Sequence, residues 1–175
     1  KCAKEYGWMY ETKHSDGGVG TINYVVWSDV FICPTCGEEF VFWDVAIGDD
    51  KEVKNPFYCP KCKSELKKSS CERAQELKYK ALDGSVYNQA KQVPVMINYV
   101  YRGKKYEKTP DEADLNTIER IKDLVTKFDI PTDELPDGDN TAQPVQSHNF
   151  RYVNQFYYDR SAIVFAFVLN EAKKA

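Results

Sequence analysis

Histidine is scarce in these 175 residues, with His14 and His148 the two copies. Neither has an evident nucleophile or metal-ligand partner, so both read as solvated surface groups. Long apolar runs are missing too. The longest, Ala162 to Leu169, falls far short of the ~20 residues of a membrane-spanning helix. The opening Lys1-Cys2-Ala3-Lys4-Glu5 holds no apolar signal region, so secretion is not expected. The chain does not begin with Met and reads as a piece of something larger. No Gly-x-Gly-x-x-Gly, phosphate-binding loop or His-Glu-x-x-His is present. These absences leave no nucleotide-cradling loop and no zincin-type helix from which to argue catalysis.

Four of the six cysteines carry the strongest signal. Cys33-Pro34-Thr35-Cys36-Gly37 and Cys59-Pro60-Lys61-Cys62-Lys63 are two Cys-x-x-Cys turns with 22 residues between them, the spacing of a tetrahedral zinc site. Each turn aims two thiolates at one point, with Pro presetting φ and Gly37 permitting a positive φ just after the first. Four thiolates leave no open position for a water nucleophile, so the expected ion is structural Zn2+. Two disulfides, or an iron–sulfur centre with the same ligand type, are the alternatives. Paired Cys-x-x-Cys spacing fits a reducing cytoplasm, and Cys2 and Cys71 stand as spare thiols.

The net charge of −3 conceals segregation. Residues 61–108 hold 12 Lys and Arg against 5 Asp and Glu, a net +7. Residues 109–140 hold 3 against 10, a net −7. The basic segment fits either solvated strand faces or an anionic partner.

Periodicity gives an α+β fold: a β-rich body, a four-cysteine zinc ribbon and two helices near 110–128 and 159–173. Two segments are expected, a β-hairpin and zinc ribbon over 1–72 (ribbon core 29–68), and an α+β segment over 73–175. Tyr6–Thr12 and Val19–Trp27 read as hairpin arms around His14–Gly18. Glu39–Ile47 and Asn55–Tyr58 read as ribbon strands joined by a turn at Gly48–Lys51. Arg73–Ala81 and Val93–Tyr101 read as further strands, and Lys105–Lys108 pairs back after a turn at Arg102-Gly103-Lys104. In Thr109-Pro110-Asp111-Glu112, Thr109 is expected to cap the first helix and Pro110 to open it. Its apolar stripe is Leu115, Ile118, Ile121, Val125 and Phe128. Ile130–Ser147 reads as a long loop and Tyr152–Tyr158 as extended chain. Asp159 is expected to cap a last helix, Arg160–Ala172, that is apolar on every side and therefore calls for burial in a neighbour or an oligomer interface.

Several strings together resemble a family of large prokaryotic adenine-specific DNA methylases. They are Thr21-Ile22-Asn23-Tyr24, Trp27 to Pro34, Phe42-Trp43-Asp44, Gln92 to Tyr99, Gly103 to Asp111 and Gln155 to Arg160. The resemblance implies a parent enzyme that uses S-adenosylmethionine to methylate the exocyclic amine of a flipped adenine, in a prokaryotic cytoplasm. It places this chain in the zinc-ribbon region, without the cofactor-binding glycines or the Asn-Pro-Pro-Tyr tetrapeptide. Asn55-Pro56-Phe57-Tyr58 differs at its third residue and lies against Cys59, where a returning ribbon strand accounts for it. No catalytic residue carries over, and S-adenosylmethionine belongs to the parent rather than to this chain.

Two functions follow as expectations. In the first, a non-catalytic region contacts DNA, because cations for phosphate alternate with rings for stacking. The candidates are Arg102, Lys104 and Lys105 with Tyr101 and Tyr106 at one hairpin, then Lys61, Lys63, Lys67 and Lys68 by the second knuckle. Tyr79, Lys80, Tyr87, Lys91 and Tyr99 extend the pattern. In the second, zinc staples a module that docks on the catalytic methyltransferase domain, a partner subunit or a second copy through the apolar last helix.

Overall fold

The computed structural model describes residues 1–48, 50–79 and 86–174. Lys80, Ala81 and Asp49, which the sequence reading places in a strand and a turn, lie outside the described residues. The chain runs α1 (Cys2–Tyr6), a 3-10 turn (Gly7–Tyr10), β1 (Glu11–Lys13), β2 (Val19–Ile32), β3 (Glu39–Val41), α2 (Phe42–Ala46), β4 (Phe57–Tyr58) and β5 (Glu65–Leu66). It continues with β6 (Glu72–Arg73), β7 (Gln75–Tyr79), β8 (Val86–Ala90), β9 (Gln92–Tyr101), β10 (Lys104–Lys108), α3 (Glu112–Val125), α4 (Asp139–His148) and α5 (Asp159–Lys173). The architecture is α+β, β-rich, with a four-cysteine cluster.

The frame is antiparallel, in the order β1-β2-β9-β10. β2 is 14 residues long and serves two structures. Thr21 to Asp29 pair with β9, from Val100 back to Gln92. Beyond that, Val30–Ile32 pair with β3 and Phe31–Ile32 with β6. On β9, Val95, Ile97 and Tyr99 are buried, which is the expected inward face. Gly20 lets the chains approach: a Cβ there would lie 2.5 Å from Tyr99 Cδ2 and 3.1 Å from the Val100 carbonyl.

Helices α3 and α5 pack together over Met9, Ile121 and Ile163, and over Ile130, Ala162 and Ala166. The corner between β10 and α3 is tied by polar groups. Lys108 Nζ lies 2.8 Å from the Asp114 carboxylate, which also accepts from the Thr12 hydroxyl at 2.6 Å. Asp114 is 6% exposed.

Several expectations need correction. Tyr6–Tyr10 is helical, because Met9 is drawn into the core with Ile121 and Ile163 and leaves only Glu11–Lys13 to pair. Phe42–Ala46 is a helical turn rather than strand: Phe42 and Ala46, four apart, both enter the ribbon core, and Ser28 Oγ accepts from the Trp43 amide at 3.0 Å. Asp111, not Thr109, caps α3, since its carboxylate accepts from the Asp114 amide while Asp114 accepts from Asp111 N–H. Leu115 is 44% exposed, outside the buried stripe. The expected loop holds α4, with Pro144 in its sixth position and Asn149 ending it in the left-handed region at φ 57°. Val153–Phe156 is a 3-10 turn rather than extended chain. Tyr158, not Asp159, is the cap residue of α5. That helix buries Ala162, Ile163 and Ala166 but leaves Phe165, Val168 and Leu169 exposed, so it is only half covered.

Candidate metal centre

Both Cys-x-x-Cys turns are hairpin tips. The first links β2 to β3 and the second links β4 to β5. Their backbones repeat one pattern: Gly37 N–H donates to Cys33 C=O at 2.9 Å, and Lys63 N–H to Cys59 C=O at 3.1 Å. Gly37 and Lys63 occupy equivalent places with φ of 73° and 61°. Glycine adopts that conformation freely, while Lys63 holds it with its own Nζ on Pro60 C=O at 2.8 Å. Beneath the turns lies an apolar cluster of Phe31, Phe40, Phe42, Ala46, Phe57 and Leu66, joined by Cys33 and Cys59, both 0% exposed. Phe42 meets Phe57 edge-on at 5.6 Å and 87°.

The structure brings Cys33, Cys36, Cys59 and Cys62 together, with all four sulfurs within 4.8 Å of one another. Cys33 to Cys62 and Cys36 to Cys59 are each 3.8 Å, too long for a bond, and all six cysteines are free thiols. A regular tetrahedron with metal–sulfur bonds of about 2.3 Å has edges of about 3.8 Å, the separation of these two sulfur pairs. The cluster could hold a metal ion with every ligand supplied by the chain. Electrostatics point the same way. Burial raises the Cys33 thiol, but amides of Cys36 and Thr35 and the Ser64 hydroxyl outweigh it and hold the group at about 6. The Glu38 amide lowers Cys36, yet burial and the neighbouring sulfurs push it up to about 12. Four adjacent thiolates need a cation among them. Cys71 is not a ligand; it packs against the ribbon core, and burial raises its thiol.

No known protein family, curated protein or solved structure matches this chain. The geometry therefore carries the functional argument.

The basic candidates occupy two places. Arg102 and Gly103 form the β9–β10 turn, with φ of 48° and 75°. Arg102 is 77% exposed, 3.8 Å from Asp16, and lies over the Tyr101 ring. Lys104 and Lys105 are exposed, and among the described residues no carboxylate pairs with them. Tyr101 and Tyr106 are less open, since His14 stacks on Tyr101 at 4.4 Å and contacts Tyr106 at 4.6 Å. By the second knuckle, Lys61 pairs with Glu38 at 2.7 Å. Lys68 lies 4.6 Å over the Phe42 ring, and Lys67 is exposed. Lys54, Lys67 and Lys68 line a cleft of about 300 Å³ with Asn55, Phe57 and Ser69. Phe57 is buried in the ribbon core while Tyr58 is 56% exposed, the alternation of a strand, but β4 holds these two residues alone and Asn55 and Pro56, expected in it, are exposed bend residues before it.

Neither histidine is simply solvated. His14 Nδ1 is 2.8 Å from Tyr99 Oη inside a tyrosine cluster. His148 is half-buried, its Nε2 3.9 Å from Asp29, and burial lowers its pKa. Asp29 is held by Arg73 at 2.9 Å and Gln92 at 2.8 Å, partners spread over 63 residues that spacing does not reveal.

Proposed function

We propose that this chain is a zinc-stapled, non-catalytic DNA-contacting region of an adenine-specific DNA methyltransferase. The observation that carries the metal part is the four-sulfur cluster, whose 3.8 Å edges suit Zn2+. With all four ligands supplied by cysteine, the ion organises the ribbon and takes no part in chemistry. Cys33, Cys36, Cys59 and Cys62 would hold it. The DNA part is supported by Arg102, Lys104 and Lys105 at an exposed hairpin tip and by the lysine-lined cleft beside the ribbon. The methyltransferase parent is supported by the sequence resemblance, and S-adenosylmethionine would bind the parent's catalytic domain.

The test is binding to duplex DNA at two salt concentrations, with zinc measured on the same sample. Steep weakening with salt supports the reading. Lys104→Glu with Lys105→Glu should weaken binding and flatten the salt dependence by about two phosphate contacts, without unfolding the protein. Unchanged affinity and slope would remove the hairpin from the interface. A second reading, a docking module, is favoured by one observation: Phe165, Val168 and Leu169 lie exposed along α5. Salt-independent association with a methyltransferase core and no DNA binding would favour it.

A further inference from the structure

The two cysteine knuckles share one backbone plan but differ in one side chain. In the first, Cys33 N–H donates to Glu38 C=O at 2.8 Å; in the second, Cys59 N–H donates to Ser64 C=O at 3.0 Å. Glu38 and Ser64 therefore hold the same place, two residues past the second cysteine of each turn. Their amides act alike, Glu38 N–H donating to the Cys36 sulfur and Ser64 N–H to the Cys62 sulfur.

The side chains part company. Glu38 turns away from the sulfurs, to Lys61 at 2.7 Å. Ser64 is half-buried and turns towards them, its Oγ 3.1 Å from Cys62 Sγ and 3.7 Å from Cys33 Sγ. Those two sulfurs come from different knuckles and are 3.8 Å apart, so the hydroxyl caps one edge of the cluster and bridges its halves. Serine hydroxyls ordinarily turn to a nearby carbonyl, as Ser70 and Ser147 do here. Strand pairing holds Ser64 in place, because the next residue, Glu65, pairs with Tyr58. The opposite edge, Cys36 to Cys59, is also 3.8 Å, and the side chain whose charge those sulfurs feel is Lys61, tied to Glu38. A metal-bound cysteine has lost its proton, so at the Ser64 edge the hydroxyl donates and the sulfurs accept. Donation to an anion is stronger than donation between neutral groups.

We propose that Ser64 is a positioning residue of the metal centre, its hydroxyl holding Cys62 of one knuckle against Cys33 of the other so that the four sulfurs close on one ion. The role presupposes the metal reading of the four cysteines and adds to it a group outside both Cys-x-x-Cys pairs. It does not depend on DNA binding by either basic surface. The first knuckle has no counterpart, since Glu38 offers the sulfurs its amide alone.

The experiment is zinc competition against a chromophoric chelator, on the whole chain and on Ser64→Ala and Ser64→Thr. Co2+ loading of the same three proteins reads the sulfur-to-metal charge-transfer band. Ser64→Ala should weaken zinc binding about tenfold or more, the range for losing a partner that orients a metal ligand. The band should move to lower energy, because a sulfur that has lost a hydrogen bond gives up electron density more readily. Ser64→Thr keeps the hydroxyl and should restore both affinity and band. In the zinc-loaded Ser64→Ala protein, iodoacetamide should alkylate Cys62 faster relative to Cys36 than in the unmodified chain, read by peptide mass spectrometry. An unmoved band with affinity unchanged in Ser64→Ala would overturn the role while leaving the four-sulfur site intact. So would a Ser64→Thr protein that behaves like Ser64→Ala, since side-chain shape rather than the hydroxyl would then matter. An unmodified chain that binds Co2+ with no charge-transfer band would sink the metal reading and the role together.

Discussion

Removing one sulfur from the four-cysteine cluster should convert a closed metal site into a weak one. Cys36 is the informative choice because it is exposed, whereas Cys33 and Cys59 are also part of the apolar core. Two sulfur–sulfur separations of 3.8 Å fit four sulfurs at about 2.3 Å around one ion. X-ray absorption on the zinc-loaded protein should therefore show four sulfurs at that distance, and one Zn2+ per chain. If free zinc is about 1,000 times the dissociation constant, binding adds about 4 kcal/mol of stability. For a chain of this length each kcal/mol moves Tm by about 2–4 °C, so chelation should lower Tm by about 8–16 °C. Cys36→Ser should remove most of that shift and lower bound zinc below one equivalent. Because Cys36 sits at about 12 without the ion, binding must displace its proton. Affinity should then rise about tenfold or more per pH unit through neutrality. A shell of nitrogen or oxygen, fewer than four sulfurs, or a Tm indifferent to chelation would refute the reasoning.

Two further outcomes follow from buried charge. Lys108→Met removes the cation 2.8 Å from Asp114, a group 6% exposed that then keeps the more distant field of Arg160, and should cost about 3–5 kcal/mol in urea unfolding, whereas a loss below about 1 kcal/mol would mean the pair is not coupled. Burial raises the Asp159 carboxyl, so the folded state holds that proton more tightly than the unfolded one. The group therefore lowers stability as pH rises from the ordinary carboxylate range through its raised folded value, and the loss stays in place above that. Asp159→Asn should flatten this fall, checked by comparing ΔG of unfolding across pH for both proteins; parallel curves would show that the carboxylate is not desolvated.

The cysteine ribbon and the helices α3 and α5 are legible in sequence because their signals are local. A Cys-x-x-Cys turn fixes its own geometry, and the stripe Ile118, Ile121 and Val125 states which face turns inward. The misread elements are those where a tertiary partner decides. Phe40 to Ala46 carries strand-favouring residues, yet Phe42 and Ala46 reach the ribbon core together only as a helical turn. Thr109 and Asp111 both suit a cap, and the choice goes to Asp111 because Lys108 and Asp114 lie beside it. α5 has apolar residues all round, and only the three-dimensional structure shows which face is covered. A cavity beside Asp159 is assembled from residues as far apart as Tyr10 and Ser161, so no spacing rule could have found it.

β2 also sets the dimensions of any DNA contact. Its Thr21 end pairs with Val100, beside the Arg102 turn, and its Ile32 end enters the first cysteine knuckle. Thr21 to Ile32 is twelve residues, and their eleven steps of about 3.3 Å separate the two ends by about 36 Å, before the bulges at Ile22–Tyr24 and Val26–Trp27 shorten it. That length is close to one turn of B-form DNA, about 34–36 Å. If the Arg102–Lys105 hairpin and the Lys61–Lys68 surface both touch one straight duplex, the site must cover about ten base pairs between them. Duplexes shortened from about 16 to about 8 base pairs should then lose one set of contacts, with the salt slope falling by the number of phosphates released. Charge reversals at the two places should be additive in free energy on the longer duplex, because the sites are far apart and share no partner. On the short duplex only one reversal should matter. A salt slope independent of duplex length, with both reversals effective on about eight base pairs, would mean that the two surfaces do not bind one straight duplex side by side.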